Sequence, residues 1–143
     1  MENFAHSLHL HPALVHFPLA LFITAFGFEI VSLVLKKENF HHTAFYLYVL
    51  AAALSPVAVQ TGLWEENVLK IHHPVLETHE TFALITMWTA LVSLPVLWLV
   101  KKKWPGFLRW AFLFFTLVTA AAVSTAAYNG GKMVYEYGIG TEQ

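Results

Sequence analysis

Nine histidines and no cysteine set the chemistry open to this chain. Without thiols there are no disulfides, no thiolate metal sites and no cysteine-bound iron–sulfur clusters, which leaves imidazole and carboxylate as ligands. Two stretches concentrate them. HPALVHFPLALF, residues 11–22, sets His11 and His16 beside Pro12 and Pro18 at the head of an apolar run. HHPVLETHE, residues 72–80, offers His72, His73, Glu77, His79 and Glu80. Opposed imidazoles suit a haem iron, and mixed imidazole and carboxylate suit a zinc, copper or iron ion. For a bare ion the candidate ligands are His11, His72, His73 and Glu77. That alternative is the weaker one, because Pro74 separates the histidine pair from the residues after it and no HExxH pattern occurs. A solvated helix cap accounts for the same stretch without a metal.

The elements that must position these groups are membrane helices. The chain is 57% hydrophobic and only 12% charged, with a mean hydropathy of +0.58, too apolar for an ordinary soluble domain. Four segments, 12–35, 43–64, 77–100 and 107–128, each reach the ~20 residues a spanning helix needs. Short connections predict one all-α domain over residues 1–143, an integral-membrane up-and-down four-helix bundle, with 129–143 as a tail. No basic residue precedes the first span, which also exceeds a signal-peptide core, so it is expected to be retained. A net charge of −1 and a single arginine, Arg109, argue against nucleic acid as a partner.

Lys36, Lys37, Lys101, Lys102, Lys103 and Arg109 fall at one set of span ends, and only Lys70 and Lys132 at the other. The positive-inside rule then puts both termini on the external, periplasmic side of a multi-pass protein. Seven histidines, including His16 and His79, fall on that side or in the outer half of the bilayer, and His41 and His42 fall in the inner loop. His16 lies about 6 Å beyond Pro12 along a helix and His79 at a comparable depth beyond Pro74. Gln60, Ser124, Thr125 and Asn129 extend this polar layer on the returning spans. HFPLALFIT from His16 and HETFALIT from His79 form a weak internal repeat. Two related hairpins would make His16 and His79 equivalent on diagonal helices, an arrangement able to hold a haem iron from both sides.

Three further features need a role. Pro18 cannot donate to the carbonyl of Leu14, so it should loosen the turn carrying His16. Glu29 is the one carboxylate deep in a span, with no basic partner evident; protonated, it would relay protons or bond to a hydroxyl such as Ser93. In NGGKMVYEYGIGTEQ, residues 129–143, the glycines permit close backbone approach, and the tail is expected to fold over the histidine layer as a lid.

HPALVHFPLAL, the Thr61-Gly62-Leu63 stretch, the histidine entering the third span and the NGGKMVYEYGIG tail together resemble the bacterial membrane family called domain of unknown function 2231, over nearly the whole chain. That resemblance implies a four-span inner-membrane protein whose relatives can be joined to Rieske or cytochrome-type redox domains. By motif it carries over His11, Pro12, His16, Pro18, Gly62, His79, Gly130, Gly131, Tyr135 and Gly138. Many members have histidine where this chain has Tyr137.

The resulting expectation is a small b-type cytochrome-like electron-transfer protein, a redox subunit rather than a stand-alone enzyme. It would bind haem b through His16 and His79, with Gln60, Ser124, Gly130, Gly131 and Lys132 around the cofactor, Lys132 meeting a propionate. The bilayer, a quinone, a redox partner subunit or further copies of the chain are the expected partners. The other classes are a cofactor-free structural or assembly subunit and a transition-metal binding protein.

Overall fold

The computed structural model describes residues 10–70, 72–99 and 106–139. Four helices account for nearly all of them: α1 (Leu10–Leu35), α2 (Glu38–Leu69), α3 (Pro74–Leu99) and α4 (Gly106–Tyr135). There is no strand among the described residues. Each helix is long and apolar enough to cross a membrane. Consecutive helices run antiparallel, α1 packs most closely on α2 and α3 on α4, and the two hairpins close through α1 with α4 and α2 with α3. The start of α1 and the finish of α4 therefore share one end of the bundle, called here the entry end. The other is the basic end, where Lys36, Lys37 and Arg109 lie.

Turn chemistry explains the connections. Lys36 adopts a left-handed backbone (φ 55°) and Lys37 N–H returns to the Ser32 carbonyl at 3.2 Å, giving a tight α1–α2 turn. Lys70 caps α2 in the same left-handed region, its N–H bonded to the Glu66 carbonyl. His73 opens α3: its Nδ1 accepts from Val75 N–H at 3.2 Å, and Pro74 takes the first helical position, where a missing N–H costs little. Pro18, Pro56 and Pro95 all lie inside helices that continue past them.

The helices exceed the expected spans. The α2 and α4 spans are 30 residues each, about 45 Å against a hydrocarbon core of about 30 Å, so their ends run past the lipid tails. Asn129, Gly130 and Gly131, expected in the tail, belong to α4. Only after Tyr135 does the chain turn: Gly138 takes φ 63° and Ile139 N–H reaches back to the Met133 carbonyl at 2.8 Å. This short return is the described part of the expected lid, and residues 140–143 lie outside the described residues.

Small residues let the helices approach at the centre, with Ala25, Ala44, Ala51, Ala52 and Ala90 fully buried. Phe22, Tyr48 and Phe112 fill the space between them, Tyr48 meeting each of the others edge to face at 5.5 Å. The Tyr48 hydroxyl pairs with Ser93 Oγ at 2.9 Å, which satisfies a polar atom that lipid cannot.

That bond also corrects the expectation for Glu29. Ser93 belongs to Tyr48, and Glu29 has two partners: His41 Nδ1 at 2.6 Å and the Arg109 guanidinium, its Nε at 3.6 Å. His41 is therefore no loop residue. Helix α2 begins at Glu38, early enough to carry His41 into the bundle beneath Glu29.

Candidate functional site

A cavity of about 430 Å³ lies among the four helices at the entry end, with His11, His16, Gly62, His79, Gly130 and Ile139 in its lining. Its walls are otherwise mostly apolar, interrupted by the carboxylates Glu65, Glu66 and Glu80, and Glu80 Oε1 is buried without a hydrogen-bond partner.

His11 and His79 face one another here, from diagonally placed α1 and α3. Their ring centroids are 6.3 Å apart and the planes stand at 88°. Each ring is anchored through the same nitrogen. His11 Nδ1 lies 3.1 Å from both the Ala58 carbonyl and Thr61 Oγ1. The Thr61 hydroxyl spends its proton on that carbonyl at 2.8 Å, so both oxygens face Nδ1 as acceptors and Nδ1 carries the hydrogen. His79 Nδ1 donates to the Ala126 carbonyl at 2.7 Å. A neutral imidazole protonated at Nδ1 has its lone pair on Nε2, the form that binds metals, and a carbonyl on the other nitrogen is the usual way to fix that form.

Glycines make the approach possible. A Cβ on Gly62 would stand 2.8 Å from His11 Cε1, closer than atoms tolerate, and one on Gly130 would stand 3.2 Å from His79 Cε1 and Nδ1. Each helical glycine costs about 1 kcal/mol against alanine, and here the missing side chain is the space a ring occupies. The two halves thus repeat one device: a histidine, a carbonyl 47 residues later, and a glycine one turn beyond it.

The sequence-predicted residues divide accordingly. His79, Gly130 and His16 line the cavity, as does Gly131, whose own added Cβ would meet nothing. His16, however, is exposed, and its Nδ1 bonds back to the Pro12 carbonyl of its own helix. The ring opposite His79 is His11, one and a half turns earlier. Gln60 and Ser124 are exposed and outside the cavity lining. Lys132 is turned toward Glu136 at 3.6 Å and over the Tyr128 ring. The alternative metal set is dispersed: His73 caps α3 and stacks on Tyr137 at 4.5 Å, while His72 and Glu77 are exposed. Among the described residues no group of three or more such side chains is placed to hold a bare metal ion.

Thr61 and the Ala58 and Ala126 carbonyls were missed from sequence. AVQTG at 58–62 and AAYNG at 126–130 hold the matching signal. The correspondence is incomplete, since Thr61 touches His11 whereas Asn129 Nδ2 donates to the Thr125 carbonyl.

An integral-membrane bundle with a histidine-lined cavity at one end is thereby defined. Its sequence matches the family model described as Predicted membrane protein (DUF2231) over residues 7–143, and the chain belongs to that family. No curated protein and no solved structure matches it.

Proposed function

We propose that the protein is a b-type haem protein of the bacterial inner membrane that passes electrons at its external face. The observation that carries this reading is the His11–His79 pair. Its two imidazoles stand across one cavity from diagonal helices, the kind and number of donors that a haem iron takes. The separation here is 6.3 Å. Both rings are held in the Nε2 lone-pair form, and two glycines clear space for them, so the donors fit a bis-imidazole iron.

Haem would supply one-electron chemistry. The chain's residues would orient it: the Ala58 and Ala126 carbonyls fix the imidazoles, and Val15, Leu19, Ala83 and Leu84 give an apolar surround. Among the described residues no lysine or arginine lines the cavity, so its walls hold no basic partner for a propionate. Sidedness follows from charge. The lysines and the arginine between the first and second and between the third and fourth spans support a cytoplasmic basic end, which would leave the cavity on the outside. A quinone or a partner redox subunit would meet the chain there.

The test is a reduced-minus-oxidised optical spectrum of the full chain, purified in mild detergent from haem-replete cells. Absorption bands of a b-type haem at one equivalent per chain are expected. A colourless, folded protein would overturn the reading, and metal analysis would then separate a metal-binding protein from a cofactor-free assembly subunit.

A further inference from the structure

Gln60 is exposed on the outward face of α2, one turn inside Trp64, a residue type of the membrane–water interface. Its carboxamide makes no hydrogen bond within the described residues. Among them it is also the only exposed amide or charged side chain more than two turns from the end of a helix. Lipid tails offer neither donor nor acceptor, so a carboxamide left against them is costly. Outward threonines such as Thr78 and Thr81 avoid that cost by bonding back to the Pro74 and Glu77 carbonyls of their own helix. Gln60 has no such bond.

The face around it is continuous. Between Ala44 and Glu66 the exposed residues of α2 are Tyr46, Leu50, Ala53, Val57, Gln60 and Trp64, at alternate steps of four and three. Pro56 does not break this row, because Ser55 Oγ donates to the Ala52 carbonyl at 3.0 Å and replaces the bond that the proline removes. Steps of four and three are those of a seam between two helices. The outward faces of α3 and α4 share the spacing, which a supercoiled bundle imposes, but neither exposes a carboxamide among its described residues. The α2 row presents roughly 600 Å² of surface, against about 500 Å² per partner in the smallest specific interfaces.

We propose that this face of α2 joins two copies of the chain, with Gln60 hydrogen-bonded to its counterpart. Two copies inserted in one membrane have the same orientation, so a twofold axis along the membrane normal sets the two α2 helices parallel and brings each residue of the row against itself. A carboxamide suits that position: its oxygen accepts and its nitrogen donates, so two of them close a reciprocal pair of hydrogen bonds. One polar residue in an otherwise apolar seam also fixes its register. Ala53, two turns earlier, lets the backbones approach. Gln60 lies outside the cavity lining, so the contact stands whether or not haem binds.

Its test uses the absence of cysteine, which makes any introduced thiol unique. Ala53→Cys and Ala121→Cys are a matched pair: each alanine is exposed and lies five residues before the carbonyl that holds a histidine, Ala58 or Ala126. The full-length variants in liposomes are treated with a mild oxidant over a series of protein-to-lipid ratios. Ala53→Cys is expected to give a disulfide-linked dimer of twice the chain mass at ratios where Ala121→Cys stays monomeric. Adding Gln60→Leu should weaken the association about threefold to tenfold, the range that one or two hydrogen bonds between membrane helices supply. Leucine suits a lipid-facing position, so this variant keeps the fold of the single chain. Cross-linking of Ala121→Cys as strong as that of Ala53→Cys, none in either, or association unchanged by Gln60→Leu would overturn the proposal. Ala53→Cys that stays monomeric in liposomes yet is linked to a product of another mass in cell membranes would overturn it in favour of a different protein on this face.

Discussion

His11 and His79 stand 6.3 Å apart with perpendicular rings, each tied through Nδ1 to a carbonyl of its own hairpin partner. His16, although it borders the same cavity, spends its Nδ1 on Pro12. The three histidines should therefore separate in one experiment. His11→Ala and His79→Ala are each expected to abolish the b-type spectrum, and His16→Ala to keep it. Loss in His16→Ala with retention in His11→Ala would reverse the ligand assignment.

The glycines supply a contrast of sign. Where there is room, alanine in place of a helical glycine gains about 0.5 to 1 kcal/mol. Gly27 has nothing within 4 Å of an added Cβ, so Gly27→Ala should raise the melting temperature slightly. Gly62→Ala drives a methyl to 2.8 Å from His11, and overpacking of this kind costs about 1 to 3 kcal/mol. Gly130→Ala, at 3.2 Å from His79, should cost less than Gly62→Ala. Thermal melts of the three variants in one detergent would check both sign and order.

Which parts of this were legible beforehand follows from the physics of each signal. Hydropathy marked four spans because lipid demands long apolar helices, and it missed the helix ends because the last turns of α2 and α4 leave the lipid, where Glu65, Glu66 and Asn129 are tolerated. Depth set His79 at the level of the cavity that it lines. It chose His16 over His11 because rise along a helix says nothing of which way a side chain faces, and the Pro12 carbonyl that captures His16 cannot be read from spacing. Gly130 and Gly131 looked like a helix end because glycine usually is one; that Gly130 lies under a ring needs the third dimension. Glu29 seemed unpaired since its partners, His41 and Arg109, come from a helix start assigned to a loop and from another span.

The buried Tyr48–Ser93 bond should matter little to stability. Tyr48→Phe removes one hydroxyl, but Ser93 Oγ keeps its bond to the Ala90 carbonyl at 2.8 Å, so no polar atom is orphaned. Hydrogen bonds between membrane helices average about 0.6 kcal/mol and reach about 1.7. A loss in that range is expected from denaturant titration in mixed micelles; several kcal/mol would mean that the ring itself repacks against Phe22 and Phe112.

Arg109 should behave differently, because it is the cation that faces Glu29 from α4. Removing one member of a buried ion pair costs about 3 to 5 kcal/mol, since the partner's charge stays buried. That figure is an upper bound here: Arg109 is 22% exposed and the Nε contact is 3.6 Å long, so about half of it is expected for Arg109→Met. Glu29→Gln on that background should restore part of the loss by removing the charge left behind, while its hydrogen bond from His41 can persist. Unfolding of the two single variants and the double variant measures the coupling. A double variant whose loss equals the sum of the single losses would mean that Arg109 does not couple to Glu29 and serves Glu38 and Ser32 alone.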